Sequence, residues 1–328
     1  MCAVLNVRCM LKKLLFMICL APVLVFAQGT DPYPNRPIRI MGGGVGSTAD
    51  YLSRFIGQKL NEKWAQPVVV DSRSGAGGTL SADVVAKAAP DGYNLVMGHA
   101  GPMVSAVALY KDLAYDPVKD FAPVSRMTTG VVVLVTHPSL PVSNTKELIA
   151  FLKQKSGVSY ASAGNGSMSH LAGELFNRIA GVNVLHVPYK SAGFALTALL
   201  SSETQISFLS PVTAHTQLKA GRVKALAVSS KTRFAGTPEI PSAVEAGIPG
   251  MDAQLWFGLF TTAKTPRGVI MKLNQQITEV LNRPDVKAML LAQGAEAAPS
   301  TPEELGDFVK SELLRWVPII KAAGIKAG

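Results

Sequence analysis

VSYASAGNGSMSHLAGELFNRIA, residues 158–180, reads as a strand, a tight turn and a helix in immediate succession. Residues 158–161 form a short β-like run, Gly164, Asn165 and Gly166 are turn formers, and helical spacing runs from Ser167 to Ala180. A helix start exposes unpaired N–H donors and about half a positive charge, so it can hold an anion without a basic side chain. The expectation is that this loop leaves backbone N–H groups free and grips a carboxylate. The bland alternative is an ordinary capped helix start, because Asn, Ser and Gly favour caps and turns wherever they occur.

The same alternation extends in both directions. Upstream, residues 37–41 suit a strand, 42–47 are glycine-rich, and Leu52, Phe55, Ile56 and Leu60 share one helical face. A second strand at 67–70 ends in Asp71, SRSGAGG feeds a helix of small residues stopped by Pro90-Asp91-Gly92, and 93–97 is a third strand. Residues 98–102 look like a loop, and 131–136 like a buried strand. Downstream, strands at 184–187, 205–209 and 224–229 alternate with helices at 194–201 and 212–220. Such a series predicts an α/β fold with mostly parallel sheets flanked by helices. Residues 237–250 are turn-rich, 256–262 strand-like, and helices follow at 266–281, 284–292 and from 301 onward, with Trp316 inward and Pro318 bending the last one.

The first 27 residues have the form of a secretory signal: Arg8, Lys12 and Lys13 precede an apolar run over 14–26, and cleavage is expected near Ala27. Cys2, Cys9 and Cys19 all lie inside it, so the mature chain has no disulfide, thiolate metal site or cysteine nucleophile. Removing its three cations leaves +7 of the formal +10, and no dense basic run speaks for nucleic acid. His99, His137, His170, His186 and His215 lack metal-ligand spacing to one another. No P-loop, zincin or nucleophile-elbow motif occurs, and nothing compels an enzyme. One motif competes. Gly44-Val45-Gly46-Ser47-Thr48-Ala49 fits G-x-G-x-x-A after a strand, with Asp71 ending the next strand, as in an NAD-dependent oxidoreductase. Against it stand the short first strand, the export signal and the lack of a catalytic pair. The loop can equally be a tight turn, or bind a carboxylate through backbone N–H groups.

Several separated motifs resemble those of the periplasmic solute-binding proteins of tripartite tricarboxylate transporters, the TctC-like Bug proteins. They are YPNRPIRI (33–40), G-S-T-A-D-x-x-x-R (46–54), QPVVVDSRSGAGG (66–78), APDGYNL (89–95), YDPVKDFAPVS (115–125), YASAGNGSMSHLAGELF (160–176), HVPYK (186–190), LKAGRVKALAVSS (218–230), EAGIPG (245–250) and WFGLF (256–260). Their order and spacing span residues 33–325.

The resemblance implies a two-domain, type II-like periplasmic-binding-protein fold that closes like a Venus flytrap. After a signal at 1–27, domain 1 would comprise 28–130 and 256–328, and domain 2 would comprise 131–255, with crossings near 131–136 and 256–260. It implies ligand contacts from Gly43, Gly44, Val45, Gly46, Ser47, Thr48, Asp50, His99 and Ala100 on the first domain. From the second it implies Ala163, Gly164, Asn165, Ser167, Ser169, His170, Tyr189, Lys190 and Ser210. Much of that contact would run through backbone N–H groups and water, with no obligatory arginine, no cofactor and no metal. The implied protein is a non-enzymatic periplasmic monomer that delivers a small carboxylate to membrane transporter subunits, or a sensor adaptor of the same fold. One departure stands out. Where the family has a proline-rich V-P-F-x-P-G-G segment, this chain has Met41-Gly42-Gly43-Gly44-Val45-Gly46, which loosens the loop.

Overall fold

The computed structural model describes residues 33–73, 75–322 and 324–325; the signal expected at 1–27 lies outside them. The chain opens with strand β1 (Ile38–Gly42), helix α1 (Thr48–Trp64), β2 (Val68–Ser72), α2 (Thr79–Ala86) and β3 (Asn94–His99). Ile38, Ile40 and Met41 of β1 are fully buried. Leu52, Ile56 and Leu60, all on one face of α1, are buried as well, so the 3.6-residue spacing does set which side meets the core.

The expected loop at 98–102 is not one. Gly98 and His99 finish β3, and Ala100 leads into a wide helical turn, Gly101–Ser105, that continues as α3 (Ala106–Leu109). Pro102 sits in the first turn of this segment, where its missing N–H costs nothing. Gly98 is required by packing: a Cβ there would lie 2.6 Å from the Phe260 ring.

Next comes an eleven-residue strand, β4 (Phe121–Val131), which sequence reasoning missed because Pro123 and a polar series obscure it. Pro123 is tolerated because β4's other neighbour reaches only Thr128 and Thr129. After Val132 the chain enters β5 (Val133–Thr136), and then α4 (Thr145–Gln154), β6 (Ser159–Ser162), α5 (Met168–Ala180), β7 (Leu185–Pro188), α6 (Ala192–Leu200), β8 (Ile206–Leu209), α7 (Pro211–Lys219) and β9 (Lys224–Val228). The turn-rich segment leads to β10 (Gln254–Thr262), α8 (Arg267–Asn282), α9 (Pro284–Ala292), the two-residue β11 (Glu296–Ala297) and α10 (Pro302–Ala322).

These strands form two sheets, ordered β11-β4-β10-β3-β1-β2 and β7-β6-β8-β5-β9. The βαβ strands pair in parallel, as the alternation implies. β4, β5, β9 and β10 pair antiparallel with their neighbours, so each sheet is more mixed than a simple α/β repeat. They do so because the chain changes sheet at these strands. The first passage takes a single residue, Val132, between β4 and β5. Ser229 fastens both passages: its Oγ accepts from Val132 N–H (3.0 Å) and donates to the Ala253 carbonyl (2.7 Å), just before β10.

The last helix packs on the first sheet. Trp316, Val309 and Leu305 are buried there, the Trp256 indole N–H of β10 donates to Glu312 (3.2 Å), and Phe308 meets the Trp256 ring edge-on. Pro318 lies inside α10 without ending it, since the carbonyl it leaves unbonded belongs to the exposed Leu314.

Candidate functional site

A cavity of about 100 Å³ lies between the two sheets, at the C-terminal ends of the parallel strands. That is where open α/β sheets place ligands, because each loop there opens the next helix. Five helix starts reach its wall: α1 through Ser47, Thr48 and Ala49, α2 through Gly77 and Gly78, α5 through Ser167, Met168 and Ser169, α6 through Ser191 and Ala192, and α7 through Ser210. Four of the five have a serine at the N-cap. Arg73 and Lys190 are the cations of the wall, and among the described residues no Asp or Glu lines it. Val132, Leu255, Phe257, Phe208 and Leu209 give it an apolar floor near the crossing strands. The fixed potential inside is therefore positive.

The α5 loop is more tightly wired than expected. Ser162 Oγ accepts from Gly164 N–H (3.1 Å), Ser169 Oγ from Ala163 N–H (2.9 Å), His170 Nδ1 from Gly166 N–H (3.1 Å), and the Gly164 carbonyl from Ser167 N–H (3.1 Å). Of the N–H groups expected to be free, those of Gly164 and Gly166 are thus engaged within the loop. The first turn of α5 adds the donors of Met168 and Ser169, and both residues line the cavity. Gly164 and Gly166 have φ of 110° and 74°, which only glycine adopts without strain.

Behind the loop, His170 stacks on His186 at 3.8 Å, and His186 Nε2 meets Ser162 Oγ at 2.6 Å. Burial pushes His170 down to about 3, with His186 adding to the effect, and pushes His186 to about 4. Both are neutral at physiological pH, which lets His170 Nδ1 accept. On the facing side, burial holds His99 at about 4. Its Nδ1 accepts from Gly101 N–H (3.1 Å), so the neutral ring carries its proton on Nε2, a donor at the cavity wall.

Of the residues expected at a ligand, Gly43, Gly44, Ser47, Thr48, His99, Ala163, Ser167, Ser169, Lys190 and Ser210 line this cavity. The others stand apart from its wall. Val45 is exposed, and Ala100 is buried in the apolar core. Asp50 turns away to bind Arg54 (3.1 Å) and Ser72. His170 backs the loop, and Tyr189 donates its N–H to Ser162 O (3.0 Å) while its ring joins the apolar cluster of the second sheet. Gly46, Gly164 and Asn165 are contacts between the two halves: a Cβ on Gly193 would lie 3.2 Å from Gly46 Cα, and one on Gly77 would lie 2.6 Å from the Asn165 carbonyl. Thr48 Oγ1 and Ser210 Oγ also meet across the cavity at 2.5 Å, and Ser191 Oγ donates to the Val45 carbonyl (3.3 Å).

Sequence reasoning missed Arg73, Gly75, Gly77 and Gly78, although SRSGAGG follows a parallel strand just as the other loops do; that rule would have found them. It also missed Ser191. The apolar floor has no local signal, because core and cavity positions look alike in sequence.

A cavity between two α/β sheets, with the chain crossing from one to the other at Val132 and again beside Ala253, is the arrangement expected of a solute-binding protein. The family profile described as tripartite tricarboxylate transporter family receptor, TctC, matches residues 52–325. The chain belongs to this receptor family. It is similar to the periplasmic binding protein BugD (31% identity, TM-score 0.85, covering 90% of this chain and 100% of that one). It is also similar to Rpa4515 of R. palustris, solved with adipate (31%, 0.87, 89% and 99%). MatC from Rhodopseudomonas palustris, solved with bound malate, is another structural relative (34%, 0.83, 88% and 100%). The glycine loop that fits a dinucleotide fingerprint precedes the residues the profile matches; in the structure its Gly44, Ser47, Thr48 and Ala49 line the cavity between the sheets.

Proposed function

We propose that this protein captures a small carboxylate between its two sheets in the periplasm and presents it to the membrane subunits of a tripartite transporter. The observation that carries the reading is the convergence of five helix starts on a wall that has no carboxylate side chain among the described residues. Solved relatives holding adipate and malate support the same ligand chemistry. The wall residues Gly43, Gly44, Ser47, Thr48, His99, Ala163, Ser167, Ser169, Lys190 and Ser210 would make the contacts, His99 as a neutral donor through Nε2.

In this proposal residues 28–130 and 256–328 form one lobe and 131–255 the other, and the lobes close by bending at the crossings beside Val132 and Ala253. Contacts such as Thr48–Ser210 and Val45–Ser191 would be the closed-state seam. The ligand then shifts an open–closed equilibrium because its anion bridges helix starts from both lobes. The protein acts as an exported monomer, without a cofactor and without catalysis.

The test is to purify the mature protein, identify any co-purified small molecule by mass spectrometry, and follow melting temperature against a carboxylate panel and NAD. A ligand present at about 100 times its Kd adds about 2.7 kcal/mol of stability. A shift with NAD and none with any carboxylate would overturn the reading.

A further inference from the structure

We infer that Asp252 and Arg315 form a strap behind the hinge, an ion pair that favours the closed form and so tunes ligand affinity without touching the ligand. The inference rests on the reading above that this structure is the closed form of a two-lobed receptor. It starts from the second passage of the chain between the sheets. Up to Ala253 the chain stays with the second sheet: a Cβ on Gly250 would lie 3.8 Å from Ile179 of α5, and Ala253 N–H donates to the Ser229 carbonyl (3.3 Å) just past β9. From Gln254 onward it pairs with β4 in the first sheet. Asp252 therefore stands on the second-sheet side of the bend, and Trp256, the third residue of β10, on the first-sheet side.

Side chains alternate along β10. Leu255 and Phe257 line the cavity, whereas Trp256 is buried against α10, where Phe308 meets its ring and Glu312 accepts from its N–H. Close by on α10, Arg315 reaches back across the passage. One of its terminal nitrogens donates to the Asp252 carbonyl (3.1 Å) and meets the Asp252 carboxylate (3.2 Å). The other lies 3.8 Å from Glu312, and the guanidinium stands 5.1 Å from the centre of the Trp316 ring. The last helix thus grips the chain on both sides of the bend, on the face opposite the cavity. Glu312 and Trp316 hold Arg315 from within α10, so the contact a bend changes is the one with Asp252. Both ends of that pair are partly exposed, and such a pair adds little to a rigid protein. Across a hinge, its whole contribution falls on the form that makes it, because Asp252 moves with one sheet and Arg315 with the other. Neither residue lines the cavity, so any effect on binding is transmitted through closure.

In the experiment the mature protein is titrated calorimetrically with succinate, adipate, citrate and benzoate, and the tightest binder is carried through Asp252→Asn, Arg315→Gln and the double variant. Each single variant is expected to bind about 2- to 5-fold more weakly, and the double variant no more weakly than the worse single. The ligand-free melting temperature is expected to stay within a degree or two of native. Unchanged affinity in both singles, losses that multiply in the double variant, or a melting temperature that falls in step with affinity each overturn the inference and leave the carboxylate reading standing. Should no acid bind, the carboxylate reading fails and the strap is tested without ligand. Nitroxide labels are then placed through Val69→Cys and Leu185→Cys, in a chain whose own cysteines all lie within the expected signal. Both positions are exposed, on β2 and β7, the outermost strands on the side away from the crossings, where opening separates the sheets most. Arg315→Gln is expected to shift the label distances toward longer values, and an unchanged distribution overturns the strap.

Discussion

Gly193→Ala separates closure from folding. Gly193 is the second residue of α6, with ordinary helical backbone rather than positive φ, so alanine fits the helix and gains helix propensity of up to about 1 kcal/mol. What it meets lies on the other side of the seam. The new Cβ would stand 2.6 Å from the Val45 carbonyl oxygen and 3.2 Å from Gly46 Cα, where ordinary contact starts near 3.4 Å. Both neighbours are backbone, so no side chain can swing aside, and the 43–46 loop or the seam itself must open. Overpacking of this kind costs about 1–3 kcal/mol. Charged to the closed state alone, it weakens ligand binding by about 5- to 150-fold. Titration calorimetry with the best carboxylate of the panel reads the affinity, and the ligand-free melting temperature, expected to hold or rise, reads the fold. Affinity within about 2-fold of native refutes the argument. So does a ligand-free melting temperature that falls in step with affinity, because the contact would then belong to the fold whatever the ligand.

Other perturbations test the α5 loop and the buried histidines. Ser167→Ala removes the cap that accepts from His170 N–H and donates to the Gly164 carbonyl (2.7 Å); a loss of about 0.5–2 kcal/mol by chemical denaturation, together with weaker binding, is expected. Gly164→Ala places a Cβ at φ 110° and 3.1 Å from the Tyr189 carbonyl, which is expected to cost about 1–3 kcal/mol, and an unchanged denaturation midpoint would contradict it. His99, His170 and His186 titrate lower in the folded protein than near 6.5, at about 4, 3 and 4. Between pH 6.5 and 4 the unfolded chain therefore binds more protons, and acidification favours unfolding. Their contribution is whole above about pH 6.5 and declines by roughly 1.4 kcal/mol per histidine per pH unit below it. Denaturation at pH 7, 5.5 and 4.5 checks this, and a His170→Asn variant is expected to flatten the slope.

Much of the fold was legible because strand and helix periodicity are local. The spacing of Leu52, Ile56 and Leu60 and the strand–turn–helix of residues 158–180 are written in the order of residues, and the structure keeps both. β4 and the helical turn after His99 were not legible, since Pro123, Gly98 and Pro102 read as breakers until a partner strand or packed ring explains each one. The serine caps were equally readable. Ser47, Ser167 and Ser210 each precede a helix and accept from its first turn, which depends on sequence neighbours alone.

What the chain by itself determined, then, is a series of anion-ready helix starts, together with the motifs that mark the receptor family. Only the tertiary structure decided which of them face one another. It turned Asp50 toward Arg54, put His170 behind the loop rather than in the cavity, and brought Arg73 from the first sheet and Lys190 from the second to line one wall. The reason is that capping is a contact over three residues, whereas Thr48 meeting Ser210 spans 162 residues and exists only once both sheets have formed and the chain has crossed between them.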